Sequence, residues 1–335
     1  MACLRLARIG RCLALGAALL CGWQGTSLPV AAQTPPTKIL FVSNRAAKPQ
    51  FNIYTMNPDG SAQTPLTKGN AIEVDPVWSP DGKQIAFAAF AADKPKAEIY
   101  VMNADGSERR QVTKLDATAF GPRWSSDGKR IFFSTLEMKD SPMPPKMRLQ
   151  VIDSDGNNLK DLADGMLPVL SPDGKKILFS RIWTPQPTLY VMDADGSNVK
   201  ALSEKAMMGA WSPDGKRIVC VADGEDNQPD VFVMNADGSG KTQLTQTPDV
   251  EIGPQWSPDG KQIFFVRGPK DSPNNASPIP AKISIYVVDA DGKNATALTT
   301  DDSINLLNGS GFVLLFLRMM SPPVKQLPAP DRPPR

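Results

Sequence analysis

The sequence predicts an all-β protein: a six-bladed β-propeller of four-stranded antiparallel blades, with its ring closed by a C-terminal strand. Three observations lead to this fold. The turn motif Trp78-Ser79-Pro80-Asp81-Gly82-Lys83 returns four more times along the chain. Apolar residues follow each copy at the spacing of a strand, and a second Asp-Gly turn completes each unit. Repeats of about 40 to 50 residues are typical of propellers.

The first turn motif sets the period of the repeat. Its five copies open at Trp78, Trp124, Leu170, Trp211 and Trp256, in steps of 46, 46, 41 and 45 residues. We call the opening residue of each copy the Trp position. Within the motif, Pro presets φ, Asp accepts hydrogen bonds from nearby backbone, and Gly adopts positive φ without steric cost. The motif therefore predicts a tight turn between the first and second strands of each blade.

The residues after this turn predict the other strands. Ile stands seven residues after every Trp position, and Phe or Cys nine residues after it. Residues two apart lie on one face of a strand, so both are expected in the core. The second turn occurs six times, from Asn57-Pro58-Asp59-Gly60 to Asp289-Ala290-Asp291-Gly292. Asp-Gly between apolar runs predicts a hairpin, which gives four strands in each unit.

The ring must close between its two ends. Residues 38–45 carry Ile39 and Phe41 at the Ile and Phe positions, so they predict the second strand of a blade, and residues 51–56 predict the third. Five further blades are predicted to begin near Asp75, Gly121, Leu167, Gly209 and Gly253, the last ending near Thr299. We expect the C-terminus to supply the missing first strand, because closure removes exposed sheet edges. Residues 312–320 are the apolar candidate; the alternative is an altered terminus that closes poorly.

Composition divides the chain into three parts. Residues 1–32 carry an arginine-rich lead, an apolar stretch and Val30-Ala31-Ala32, which together predict a signal peptide and export to the periplasm or medium. The apolar stretch is short for a membrane anchor, and Leu20 before Cys21 makes a poor lipidation site. Residues 38–320 are predicted as the propeller and residues 321–335 as a Pro-rich disordered tail. Pro- and Ser-rich residues 139–146 and 269–281 predict protruding loops.

Charge and residue content exclude several functions. The net charge is +2, and without the three leader arginines it is near −1, which gives no drive toward nucleic acid. The chain has no histidine, which excludes Ser-His-Asp and Cys-His catalysis and His-ligated metals. Outside the leader the one cysteine is Cys220, at a Phe position, where we expect a buried apolar residue. We expect a monomer without a transmembrane span, catalytic residues, metal or cofactor.

The carboxylates leave two alternatives open. Asp153, Asp155 and Asn157 resemble the start of a calcium loop, but Gly156 stands where a hairpin requires it. Glu73, Asp75 and Glu251 precede Trp positions, and paired carboxylates can hydrolyse glycosides. An enzyme acting on sugars or lactones with carboxylates or a bound cation is therefore the alternative to a binding protein. The plainer interpretation is that these acids are solvated loop charges.

A binding face at one mouth of the channel is the preferred hypothesis. First strands of a propeller line its channel, and the segments that lead into them are expected to gather at one end. Aromatic, methionine and charged side chains on such a rim suit peptide recognition. The candidate residues are Glu73, Asp75, Phe120, Arg123, Met207, Met208, Glu251 and Gln255, with Met166 beside them.

The repeats also resemble a known family. Trp-Ser-Pro-Asp-Gly-Lys-x-Ile-x-Phe, paired with Ile-Tyr-Val-Met-Asn-Ala-Asp-Gly-Ser, is similar to the WD-like repeats of the TolB propeller family over about residues 38–300. Related repeats occur in propellers of prolyl-oligopeptidase-type peptidases, whose hydrolase domain is not found here. The short stretch between leader and first strand leaves no space for the α/β domain that precedes the propeller in TolB. The resemblance implies an exported, stand-alone propeller that binds protein or peptide, with cell-envelope components as candidate partners.

Overall fold

Each sequence repeat folds into one four-stranded antiparallel sheet, as the repeat predicted. The structure is a computed structural model that describes residues 38–46, 50–90, 96–137, 145–182, 184–224, 228–269 and 282–308. The chain divides into two units, Met1–Gln33 and Thr34–Arg335, and every described residue belongs to the second. The described residues form 24 strands in six sheets and contain no helix. The predicted leader and tail, and most of the two predicted loops, lie outside these residues.

The six blades follow one another along the chain. Blade 1 contains β1 (Ile39–Ser43), β2 (Asn52–Met56) and β3 (Thr64–Pro65), and blade 2 contains β4 (Ile72–Trp78), β5 (Gln84–Phe90), β6 (Ala97–Asn103) and β7 (Arg110–Gln111). Blade 3 contains β8 (Thr118–Trp124), β9 (Arg130–Glu137), β10 (Lys146–Asp153) and β11 (Lys160–Asp164), and blade 4 contains β12 (Met166–Leu170), β13 (Lys176–Arg181), β14 (Thr188–Asp193) and β15 (Lys200–Glu204). Blade 5 contains β16 (Ala206–Trp211), β17 (Arg217–Asp223), β18 (Pro229–Asn235) and β19 (Thr242–Gln243), and blade 6 contains β20 (Val250–Trp256), β21 (Gln262–Gly268), β22 (Ser284–Asp289) and β23 (Thr296–Ala297).

Both predicted turns form with the expected chemistry. In the first turn of blade 2, Gly82 N donates to Ser79 O over 2.9 Å, and the Ser79 hydroxyl donates to Asp81 over 2.6 Å. In the second turn, Gly106 has a φ of +89°, and a Cβ there would lie 2.6 Å from the backbone oxygen of Leu66 in blade 1. Only glycine lets neighbouring blades approach this closely. The calcium-like segment is also a turn, in which Asp155 accepts a hydrogen bond from Asn157 N over 3.0 Å.

The core lies between neighbouring blades. In blades 2 to 6 the residues at the Ile positions are fully buried, while Ile39 of blade 1 is partly buried. Those at the Phe positions, Cys220 included, are exposed by at most 1%. In one interface, Val219 and Val231 of blade 5 pack against Ile263 and Phe265 of blade 6. Each sheet therefore buries both faces, and the strand alternation sends every second side chain to the next blade.

A C-terminal strand closes the ring, as predicted. This strand, β24 (Asn305–Leu306), is antiparallel to β1 and pairs Asn305 with Ser43 and Leu306 with Val42. The Asn44 side chain accepts a hydrogen bond from Ile304 N over 2.9 Å, and Arg45 donates to the Asn305 side chain over 2.8 Å. The expected strand at residues 312–320 lies outside the described residues. The described closing strand thus comes earlier in the chain than the apolar pattern indicated.

Candidate binding site in the central channel

The first strands of blades 2 to 6 contact one another around the ring and form the channel wall. Each begins earlier than predicted, at Ile72, Thr118, Met166, Ala206 and Val250, and each is interrupted by a bulge. The bulge residue stands three places before the Trp position and has positive φ: Asp75 (54°), Gly121 (61°), Leu167 (56°), Met208 (53°) and Gly253 (61°). Bulges in sheets turn side chains away from the regular alternation. The channel is therefore lined by the same β-bulge in each of the five first strands.

Side chains of the preceding blade hold three of these bulges in place. Gly121 N donates to the Asp75 carboxylate over 3.2 Å, from blade 3 to blade 2. Met208 N donates to the Ser180 hydroxyl over 3.1 Å, from blade 5 to blade 4, and Leu167 N donates to a serine of blade 3 over 2.8 Å. A strained backbone that is fixed by neighbouring groups gives a rigid wall. The channel surface is thus preorganised before any ligand arrives.

A cavity of about 250 Å³ lies inside this wall. Its lining combines the residue just before the Trp position in each of the five blades with three of the bulge residues. They are Val77, Arg123, Val169, Ala210 and Gln255, together with Leu167, Met208 and Gly253. Apolar surface with two well-placed polar groups is the usual composition of a recognition pocket.

Three polar residues meet at this cavity. Arg123 of β8 donates to the side-chain oxygen of Asn308 and, over 3.0 Å, to the backbone oxygen of Pro122. Gln255 of β20 donates from Nε2 to the backbone oxygen of Asn308 over 2.5 Å. Asn308 follows the closing strand and is only 8% exposed. Two walls of the channel, from blades 3 and 6, therefore hold one residue of the chain through its amide oxygens.

The Arg123 side chain is a partly buried cation. Burial lowers its pKa to about 10, and the nearby Asp75 carboxylate acts in the opposite direction. The guanidinium therefore stays protonated at neutral pH and donates charge-assisted hydrogen bonds. Asp75 itself is 1% exposed. The pair gives the channel a buried polar centre within apolar surroundings.

The other predicted site residues lie elsewhere. Glu73, Phe120 and Glu251 are at most 2% exposed, which corrects their expected position on an open rim. Glu251 accepts hydrogen bonds from Arg267 and the Thr245 hydroxyl, so it is part of the blade structure. These residues stand four or five places before the Trp position, ahead of the bulge.

Glu73 is held in the same way. It accepts hydrogen bonds from Thr67 and Arg109, and burial raises its pKa against both contacts. Met207, also ahead of the bulge, is half-buried and pairs with Val221 of β17. Among the predicted residues, Arg123, Met208 and Gln255 line the cavity, and Asp75 lies beside it. Their role in binding stays a prediction.

Sequence reasoning missed Val77, Val169, Ala210 and Asn308. The first three occupy the position directly before the Trp position. Aligning the five repeats would have found them, because the predicted residues Arg123 and Gln255 occupy the same position in their own blades. Asn308 belongs to no repeat and carried no such signal. The expected burial of Cys220 is confirmed, and burial raises its pKa to about 12. Within the described ranges, no group of three His, Cys, Asp or Glu side chains could hold a metal ion.

Fold and site together define a class of protein: a six-bladed propeller whose axial cavity is bounded by bulged first strands. The model of the TolB beta propeller domain matches residues 33–143 and 137–310. The chain belongs to this TolB beta-propeller family, and the predicted family resemblance is confirmed. In the part of the chain that the structure describes, no helix is long and apolar enough to cross a membrane.

Individual proteins agree with this assignment. Two curated relatives, each described as Tol-Pal system protein TolB, come from Anaeromyxobacter dehalogenans strains 2CP-C and 2CP-1. They are 31% and 30% identical over 108 residues, which is 30% of this chain and 25% of each relative. The matched region thus spans a quarter of the length of these relatives.

Solved structures show the same fold. TolB from Acinetobacter baumannii has a TM-score of 0.65 at 20% identity, covering 80% of this chain and 66% of its own. A putative TolB from Agrobacterium tumefaciens has a TM-score of 0.61 at 20% identity, covering 81% and 89%. An oligogalacturonate lyase in complex with manganese has a TM-score of 0.54 at 17% identity, covering 78% and 73%. At these identities the likeness concerns the fold alone.

Proposed function

We propose that this protein is an exported TolB-like propeller that binds a segment of a protein or peptide in its channel. The observation that carries the proposal is the contact to Asn308. Arg123 and Gln255 already bind a backbone oxygen and a side-chain amide oxygen of polypeptide there. Groups that bind one peptide unit in this way can bind another of similar chemistry, because amide oxygens occur at every residue.

The cavity limits what can enter. Its volume of about 250 Å³ is below the ~300–1,000 Å³ of sites for drug-sized molecules. It suits one or two side chains of a peptide, with Val77, Val169 and Met208 giving apolar contact. Arg123 and Gln255 would orient the segment through its amide oxygens. Burial of the apolar wall would provide the affinity, and Arg123 and Gln255 would determine which residue of the peptide lies in the cavity.

The site of action follows from the leader and the family. A signal peptide over residues 1–32 would deliver the propeller to the periplasm or medium. The matched relatives are described as components of the Tol-Pal system, so protein components of the cell envelope are the first partners to test. We propose that the propeller acts as a monomer without nucleic acid or cofactor, since its charge is nearly balanced.

Site-specific photo-crosslinking in the native host tests this function. A photoreactive amino acid replaces Val169 in the channel wall or, as the matched control, exposed Lys200 on β15. We expect a discrete protein adduct from Val169 that Lys200 does not give, and that Arg123→Gln diminishes. Equal adduct patterns from both positions would contradict channel binding, and an Arg123→Gln pattern identical to the parent would exclude Arg123 from the site.

The enzyme alternative has one observation in its favour, the fold likeness to oligogalacturonate lyase. A thermal-shift series with Ca²⁺, with EDTA and with acidic sugars separates the two functions, because a ligand that binds the folded state raises its melting temperature. A rise with cation or sugar would favour the enzyme. An unchanged melting temperature in every arm would favour the peptide-binding function.

A further inference from the structure

Four blades carry the same stack of an arginine on two aromatic rings. In each, the guanidinium lies over the Phe of the second strand and the Tyr of the third strand, an arrangement that favours a cation. The distances from the guanidinium carbon to the two ring centres are 5.1 and 5.1 Å for Arg45, 5.0 and 4.6 Å for Arg109, 5.6 and 4.4 Å for Arg181, and 5.3 and 4.3 Å for Arg267.

Three of these arginines bind a carboxylate of the chain itself. Arg267 contacts Glu251 over 2.7 Å, and Arg45 contacts Asp301 over 3.1 Å. Arg109 forms the equivalent ion pair in blade 2, with a buried glutamate. The two rings therefore hold the guanidinium in a position where it can donate hydrogen bonds to a carboxylate. This arginine–carboxylate pair occurs in three of the four blades.

Blade 4 has the arginine without the acid. Arg181 ends β13 at the position that Arg267 occupies in β21, and the residue in place of Glu251 is Gly165. A Cβ at Gly165 would lie 2.7 Å from the ring of Phe179, and its φ is +142°, so no side chain fits there. Arg181 donates from Nε to the backbone oxygen of Asp164 over 3.0 Å. Among the described residues, no carboxylate pairs with its guanidinium.

A cavity of about 450 Å³ occupies the space beside this arginine. Its charged lining consists of Arg181, Arg148, Lys146 and Asp164. Arg148 lies 3.9 Å from the largely exposed Asp164 carboxylate, so this acid is already engaged within the wall. Lys146 pairs with Glu137 over 3.8 Å, and Arg148 pairs with Asp161 over 3.3 Å. Arg181 is thus the cation of this lining that has no carboxylate partner among the described residues, and its charge favours an anion in the cavity.

We propose that this cavity between blades 3 and 4 binds an acidic side chain of a partner polypeptide, whose carboxylate accepts hydrogen bonds from the Nη atoms of Arg181, as Glu251 accepts from Nη2 of Arg267 in blade 6. A glutamate side chain is the favoured occupant because two of the three sister arginines, Arg109 and Arg267, hold a glutamate. The site lies at the Gly165 end of β12, away from the Trp position at Leu170. It is therefore separate from the channel contact to Asn308, and it holds whether or not the channel binds a peptide.

A matched pair of probes tests the charge requirement. N-acetyl-glutamate methylamide presents the proposed carboxylate, and N-acetyl-glutamine methylamide has the same shape without the charge. Each is titrated into the purified full-length chain while the Arg181 Nε–H signal is followed by ¹⁵N NMR. We expect the glutamate probe to shift this signal and to bind at least about tenfold more tightly, the value of one charge-assisted contact. Equal binding of both probes would overturn the proposal.

Variants test the position. Arg181→Gln should abolish the preference for glutamate, and Arg181→Lys, which keeps charge without the planar fork, should weaken it. Arg110→Gln, at an exposed arginine of β7, is the matched control and should leave it unchanged. N-acetyl-alanine presents a main-chain carboxylate. If it bound more strongly than N-acetyl-glutamate methylamide, the proposal that the occupant is an acidic side chain would be overturned. Retained glutamate preference in a folded Arg181→Gln variant would also overturn the site.

Discussion

The ion pair of blade 6 gives the sharpest test of how the blades are held together. Glu251 is fully buried, and its carboxylate accepts from Arg267 Nε over 2.9 Å and from Nη2 over 2.7 Å. It also accepts from the hydroxyls of Thr245 and Thr247. We expect Glu251→Gln to keep the shape of the side chain and to destabilise the fold, because a glutamine leaves the Arg267 charge uncompensated.

The size of the effect follows from these contacts. Removing one partner of a buried ion pair costs about 3–5 kcal/mol. The Arg267 side chain is 15% exposed, so water reaches it only slightly and the lower part of that range, about 3 kcal/mol, is expected for the amide. At about 2 °C per kcal/mol for a chain of this size, the melting temperature should fall by about 6 °C.

Two control variants make the measurement specific. Guanidinium unfolding, followed by tryptophan fluorescence, compares the wild type with Glu251→Gln and with Asp223→Asn, an exposed carboxylate at the end of β17 that should leave the midpoint unchanged. A double variant, Glu251→Leu with Arg267→Met, should recover most of the loss, since it leaves no unpaired charge. A Glu251→Gln midpoint equal to wild type, or a double variant no better than the single one, would refute this reasoning.

Three further predictions concern other parts of the ring. Burial raises the pKa of Glu73, so the folded state binds a proton at this carboxylate more tightly than the unfolded chain does. The unfolding free energy of the wild type should therefore rise relative to that of Glu73→Gln as pH falls through the raised pKa. Parallel plots of unfolding free energy against pH for the two proteins would contradict this prediction. Glu108 has a φ of 53°, so Glu108→Asn should stabilise by about 1 kcal/mol in denaturant unfolding, and a loss would contradict the strain. Arg123→Gln should weaken crosslinking from Val169 without lowering the melting temperature by more than a few degrees; full crosslinking would exclude Arg123 from the site.

The number and order of blades were predictable because their signals repeat. Trp78, Ile85 and Phe87 recur at matching places in the repeats, and Asp-Gly turns separate the strands. The spacing of the apolar residues and the turn motifs therefore both predict a four-stranded sheet in each repeat. The closing strand, Asn305–Leu306, was not found because it has no Trp and no turn motif after it. An apolar run further along the chain therefore looked like the better candidate.

The channel was predictable in part. The first strands were predicted to begin near Asp75 and its counterparts, but they begin up to three residues earlier, and prolines such as Pro76 lie in bulges inside them. Glu251 looked like a linker charge because its partners, Thr245 and Arg267, come from other strands. The pattern of one strand cannot show which distant groups will neutralise a carboxylate.

Ring closure by β24 and β1 also bears on how the protein can be rebuilt. The closing contact joins positions 43 and 305, so it is the most distant strand pairing among the described residues and is expected to form late in folding. A circular permutant that joins Asn308 to Lys38 through a short linker and opens the chain at the exposed turn near Ser239 would turn this remote pairing into a local hairpin. The rate-limiting step would then move to blade 5, and comparing the two refolding rates would measure how much of the barrier comes from bringing the first and last blades together.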